Sequence, residues 1–157
     1  MLLRKKANRT RTKAGGKRGS QRGCAAIELA LMSPWIMALF IGVLDFGFYG
    51  YAVINTQNAA RVAALRTSAA SSSAADTALA CTYALAEMGS LPNLSGVSSC
   101  SALPLTVTAT SLTGTDSADG ALSSRVAVTY QTPQLIPFPT VTGRLTLTRT
   151  AEVRVRN

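Results

Sequence analysis

Sixteen consecutive residues, Leu29 to Leu44, carry no charge. They sit inside CAAIELALMSPWIMALFIGVLDFGFYGYAVI, residues 24–54, where Glu28 and Asp45 are the only charged side chains. A sixteen-residue helix is about 24 Å long, short of a hydrocarbon core of roughly 30 Å. Counted from Ala25 to Ile54, the stretch is long enough, with the two acids near the boundaries. Phe46, Phe48, Tyr49 and Tyr51 fall where an aromatic belt would meet the far interface. The competing reading is the buried core helix of a soluble protein. A helix apolar on every face, in a chain of 157 residues, has too little protein to hide in. A membrane-spanning helix over 24–54 is therefore expected.

The charge is confined elsewhere. The net charge is +9, from 16 Lys and Arg against seven Asp and Glu, with no histidine. Arg4, Lys5, Lys6, Arg9, Arg11, Lys13, Lys17, Arg18 and Arg22 precede the apolar run, and no acid accompanies them. Residues 24–157 then balance seven arginines against seven acids. Residues 1–23, glycine-rich and poor in large apolar side chains, read as a disordered basic leader. By the positive-inside rule the leader stays in the cytoplasm and the C-terminal part crosses the membrane. A nucleic-acid-binding tail ranks last, because no aromatic residues or recognition-helix pattern accompany the charge. The apolar stretch is too long for a cleaved secretory signal and lacks a clear small-x-small site at its end. Cys24 precedes the apolar region, where a lipoprotein acceptor would follow it. Without histidine, Ser-His-Asp and Cys-His sites and His-bearing zinc sites are excluded. No P-loop, dinucleotide fingerprint, CxxC or nucleophile–base pair is present. The expectation is a chain with no catalytic residues, metal site or cofactor.

The junction reads Arg22-Gly23-Cys24-Ala25-Ala26-Ile27-Glu28. A glycine closes the leader, and a glutamate lies five positions further on, at the start of the apolar helix. This resembles the type III signal of type IV pilins and pseudopilins. The resemblance implies cleavage by a prepilin peptidase between Gly23 and Cys24. It also implies an assembly role for Glu28, whose carboxylate is costly to leave unpaired near a membrane and which the amino terminus of a neighbouring subunit would neutralise. Ala26-Ile27-Glu28-Leu29-Ala30-Leu31, then Pro34, Asp45-Phe46-Gly47 and Asn55-Thr56-Gln57-Asn58-Ala59-Ala60-Arg61 narrow the likeness. Together they resemble the TadE-like family, minor pseudopilins of the tight-adherence (Flp) pilus. Cys24 as the new first residue departs from the family's usual pattern. The partners implied are the prepilin peptidase, other pilins and pseudopilins, the inner-membrane pilus assembly platform and membrane lipid, with no nucleic acid. The localisation implied is the bacterial inner membrane, single-pass, with a periplasmic C-terminal domain. The alternative is an uncleaved single-pass envelope protein whose outer domain binds a ligand or partner.

The rest of the chain predicts an α+β domain. Pro34 should kink the helix. Gly42, Gly47 and Gly50 offer smooth faces for helix packing or simple tolerance of glycine in lipid. Asp45 marks a possible helix contact, or an interfacial carboxylate reaching water. Residues 55–70 continue the helix, and Ser71-Ser72-Ser73 breaks it. Ser73 with Asp76 reads as a capping box for a second helix with Leu79, Tyr83, Leu85 and Met88 on one face, ended by Gly89. The pattern then changes to a period of two. Leu105, Val107 and Ala109, then Val126, Val128 and Tyr130, then Leu145, Leu147, Val153 and Val155 give about three half-buried antiparallel strands. Thr132–Gly143, with Pro133, Pro137 and Pro139, reads as a long loop. The small periplasmic domain is 71–157. Cys81 and Cys100 fall on the oxidising side of the membrane and would pair there; two free buried thiols are the alternative. Cys24 lies across the boundary and stays unpaired.

Overall fold

The structure, a computed structural model, describes residues 19–134 and 144–156, with side chains from residue 25 onward. The predicted leader up to residue 18, and most of the predicted Thr132–Gly143 loop, lie outside the described residues. The elements are α1 (Gly19–Thr67), a 3-10 turn at Ser71–Ser73, α2 (Thr77–Met88), β1 (Ser101–Ala102), β2 (Leu105–Leu112), a 3-10 turn at Gly114–Asp116, β3 (Ser123–Gln131) and β4 (Thr146–Arg154). The architecture is the expected α+β: a long apolar N-terminal helix, a short helix and an antiparallel sheet. The chain divides into two compact units at Gly42/Val43, and α1 contributes to both.

In the first unit, α1 exposes its large apolar side chains. Every residue from Ala25 to Phe40 is exposed, Trp35 at 74%. Pro34 lies inside the helix. The helix begins at Gly19, four residues before the expected junction at Gly23. No proline intervenes, and extending a formed helix costs far less than starting one.

The second unit is built on a four-stranded antiparallel sheet in the order β1-β2-β3-β4. The expected alternation sets the register. Leu105 faces Tyr130 and Tyr130 faces Leu147; Val107 faces Val128; Ala109 faces Val126 and Val126 faces Ala151. These rungs carry the core. β1, which the alternation did not reveal, is a two-residue strand folded back on β2. Leu145 departs from expectation. It precedes β4 and stays exposed, because the core-facing row starts at Leu147.

Within this unit α1 presents a face of small residues. Ala52, Thr56, Ala59, Ala60, Ala63, Ala64 and Thr67 are buried at spacings of three and four, one side of an α-helix. Alanine here brings the helix backbone close to its neighbours, and packing at crystal-like density leaves no room for longer side chains. α1 ends at Thr67, three residues earlier than the expected Ala70. The hydroxyls of Thr67 and Ser68 donate to the Ala63 and Leu65 carbonyls, competing with further helical bonding. The Thr67 and Ser124 hydroxyls lie 2.7 Å apart, and Ser124 Oγ donates to the Ala74 carbonyl at 2.7 Å.

The capping box is corrected. Asp76 is the N-cap of α2 and accepts from the Leu79 amide at 2.9 Å, while the Ser73 hydroxyl turns back to the Thr67 and Ala70 carbonyls. A carboxylate directly before the first turn satisfies the orphan amides better than a serine three residues further back. The buried face of α2 is also corrected, to Ala80, Ala84 and Met88. Leu79, Tyr83 and Leu85 are half-buried at its margins, since small residues again take the closest approach. Gly89 caps the C-terminus.

Two local networks hold the loops. Tyr130, fully buried, donates toward the Pro92 carbonyl and Asn93 Oδ1, and Asn93 Nδ2 donates to the Gln131 carbonyl at 3.0 Å. Burial raises the Tyr130 phenol to about 12. On the outer face of the sheet Glu152 accepts from the Ala118 amide at 2.9 Å and the Ser123 hydroxyl at 2.7 Å, and pairs with Arg125 at 2.9 Å. These bonds, the Ala118 amide foremost, lower the Glu152 carboxyl to about 2.

Enlarging the small-residue face should destabilise this unit. Ala60→Leu is expected to cost about 1–3 kcal/mol by overpacking, read from chemical denaturation of the full chain in detergent. A pH dependence follows from Glu152. Its folded value lies below the ordinary 4.5, so its network contributes stability above pH 4.5 and loses it as pH falls toward 2. Thermal melts between pH 2 and 7 should show this loss. Glu152→Gln should lower the melting temperature at pH 7 and flatten the acid limb.

Candidate functional site: the N-terminal helix and the disulfide-bonded domain

The residues singled out by the sequence fall into two separate groups. Gly23, Cys24 and Glu28 all lie in the first part of α1. Position 24 is four residues before Glu28, one helical turn. Glu28 is exposed and has no hydrogen-bond or ion-pair partner among the described residues. Asp45 is half-buried, likewise without a partner among them, and lies in the unit that starts at Val43. The uncharged run between the two acids is therefore wholly helical and bears large apolar side chains on all sides.

Cys81 and Cys100 form the second group. Cys81 is on α2 and Cys100 directly precedes β1; their sulfurs are bonded, with Cα atoms 5.7 Å apart. The bridge closes the segment carrying Leu91 and Leu94, both buried, and Asn93, whose φ is +64°. That left-handed backbone suits asparagine better than most residues, and it lets the Asn93 side chain bridge Tyr130 and the Gln131 carbonyl. An open groove of about 490 Å³ runs beside the disulfide, between α2 and Ser98–Ser101. Its lining of hydroxyls and small apolar groups offers no charged group and no titratable residue besides the bridged cysteines. Among the described residues no group of three or more His, Cys, Asp or Glu is gathered to hold a metal ion.

The sequence reading missed three contacts. Tyr51 Oη and Ser90 Oγ lie 3.0 Å apart, the Arg66 guanidinium sits 5.2 Å from the Tyr83 ring centroid, and Glu152 bonds Ala118, Ser123 and Arg125. Arg125 and Glu152 both lie on the outer face of the sheet. Their direct pairing depends on the β3–β4 register, which sets Arg125 opposite Glu152.

These features define a class. α1 is the one helix among the described residues long and apolar enough to cross a membrane, and it leads into a small disulfide-bonded α+β unit. Residues 23–65 match the TadE-like protein family, the family to which the junction and helix motifs are similar. No curated protein and no solved structure matches the chain.

Opening the disulfide removes a loop constraint on the unfolded chain. Cys81→Ser or Cys100→Ser is expected to cost about 3 kcal/mol in the chain-entropy account, read as a fall in denaturation midpoint. Alkylation of the unreduced protein followed by mass spectrometry should label Cys24 alone; labelling of Cys81 and Cys100 without reductant would contradict the pairing.

Proposed function

We propose that this chain is a minor pseudopilin of a tight-adherence (Flp, type IV-like) pilus, acting in assembly and carrying out no chemistry of its own. A prepilin peptidase cuts after Gly23 on the cytoplasmic side. The remaining 134 residues (157 − 23) begin at Cys24. α1 holds them in the inner membrane, with the second unit in the periplasm, and hands them to other pilins through the assembly platform. The observation that carries this reading is the family match over residues 23–65, which starts at the glycine ending the basic leader.

Three physical features support it. All nine basic residues of the leader precede the apolar run, the charge asymmetry that retains an N-terminus in the cytoplasm. Glu28 has no partner among the described residues, so a positive group from another subunit would relieve its exposure to lipid. A disulfide suits an oxidising compartment.

N-terminal sequencing of membrane-extracted protein should give a start at Cys24. Gly23→Ala should block processing and leave the full-length form. Glu28→Ala should still be processed, while surface pili decline. Normal maturation of the glycine variant would overturn the processing step. A mature species that retains Met1 would favour an uncleaved anchor instead.

A further inference from the structure

We propose that one end of the sheet in the second unit is a lipid-contact rim, formed by Leu103 and Leu145 beside Tyr51 of α1; this rests on the reading of α1 as a membrane span.

The direction of α1 within this unit identifies the end concerned. Tyr51 meets Ser90, while sixteen residues later Thr67 meets Ser124 and the Ser68 carbonyl accepts from the Arg156 amide. Asn93, three residues after Ser90, is bonded to Tyr130 and Gln131 at the C-terminal end of β3. Ser124 lies at the N-terminal end of β3. α1 therefore runs antiparallel to β3, and the apolar helix enters the unit at the Tyr130–Gln131 end.

Leu103 and Leu145 stand at that same end. The Gln131 amide donates to the Pro104 carbonyl at 2.8 Å, and the Thr132 amide donates to the Leu145 carbonyl at 2.9 Å. The Leu145 amide donates in turn to Thr132 Oγ1 at 3.0 Å. Both leucines are thus on fixed backbone, yet 51% and 47% of their surfaces are exposed. Beyond Ile54, Leu65 is the one other large apolar side chain left exposed among the described residues. Two of these three side chains therefore share the end where the apolar helix enters. Arg144, exposed and adjacent to Leu145, adds a cation suited to anionic headgroups.

The opposite end differs in kind. The exposed turn between β2 and β3 carries Asp116 and Asp119 among Thr, Gly and Ala. The occupant that fits the first end is the interfacial region of the bilayer. Tyr51, 47% exposed, already belongs to the aromatic cluster at the expected boundary, where amphipathic rings settle at headgroup level. A lipid surface meets two rigid leucines and a neighbouring arginine without shape complementarity, which a protein partner would need.

The full chain has one tryptophan, Trp35, which gives an internal control. The wild type, and Trp35→Phe chains carrying Leu103→Trp, Leu145→Trp or Thr115→Trp, would be reconstituted in phosphatidylcholine–phosphatidylglycerol vesicles. Each would be measured without bromine, with lipids brominated near the headgroup, and with lipids brominated at mid-chain, which reach Trp35 near the middle of the span. Protection of Cys81 and Cys100 from alkylation confirms that each variant is folded. The proposal expects Trp35 and the tryptophans at 103 and 145 to lose emission in brominated vesicles, with Thr115→Trp unchanged. Quenching of Trp35 alone would overturn the rim and leave the membrane span standing. An unquenched Trp35 would overturn the span and the rim with it. Blue-shifted but unquenched emission at 103 and 145 would assign these leucines to a protein contact and overturn the lipid assignment.

Discussion

The second unit depends on how closely α1 approaches its neighbours, and that distance is set by side-chain size. Ala52, Ala59, Ala60, Ala63 and Ala64 are completely buried. Each removes little apolar area from water, so the hydrophobic return per residue is small. A core built this way gains from contact density and needs additional restraints. The restraints are visible: the Thr67–Ser124–Ala74 hydroxyl chain at one end of β3, the Tyr130–Asn93–Gln131 network at the other, and the Cys81–Cys100 bridge across the intervening loop. No buried side-chain polar atom among the described residues lacks a hydrogen bond. Such atoms are costly when unpaired, so a thin core tolerates its buried hydroxyls because all of them are satisfied.

The same helix follows opposite rules along its length. From Ile27 to Phe46 it carries Leu, Ile, Met, Phe and Trp side chains that are exposed. From Ala52 onward its buried side is alanine and threonine. Large exposed apolar groups suit lipid surroundings, and small ones suit a helix that lies against protein. The net charge of +9 belongs to the same division. It resides wholly in residues 1–23, and residues 24–157 are formally neutral. The basicity therefore belongs to the segment ahead of the apolar run, and the folded domain carries no excess of either charge.

The fold was legible where one physical rule dominated locally. The period-two runs revealed the inward faces of β2 and β3, and the charge-free run revealed the apolar helix. Legibility ended where tertiary packing chose among acceptable options. Leu79 and Leu85 looked like the buried face of α2, but close packing on β2 selected Ala80 and Ala84. Ser73 and Asp76 both had capping chemistry, and only the chain path decided that Asp76 meets the Leu79 amide. β1 was invisible because two residues carry no periodicity. At the candidate site, Gly23, Cys24 and Glu28 were singled out by linear spacing alone, and α1 sets all three on its first part. The Tyr51–Ser90 contact joins residues 39 apart and leaves no trace in a local pattern.

An open sheet also has to be kept from pairing with strands of other chains. Unpaired strand edges template unwanted pairing. On the β2 side, Thr77 at the start of α2 accepts the Ala109 amide at 3.2 Å, and Cys100 accepts the Val107 amide. Those edge donors are therefore occupied within the chain. On the β4 side, Arg149 occupies the core-facing row, opposite Val128, where an aliphatic residue would complete the rung. Arg149 is half-buried as a residue, and its guanidinium donates to the Thr148 carbonyl at 3.2 Å on the exposed side, a charge that a second strand would have to desolvate. The arginine thus gives up local hydrophobic stabilisation at that edge. Under the proposed pseudopilin role this division is coherent. That role places the contacts between subunits on the apolar helix and asks none of the sheet edges.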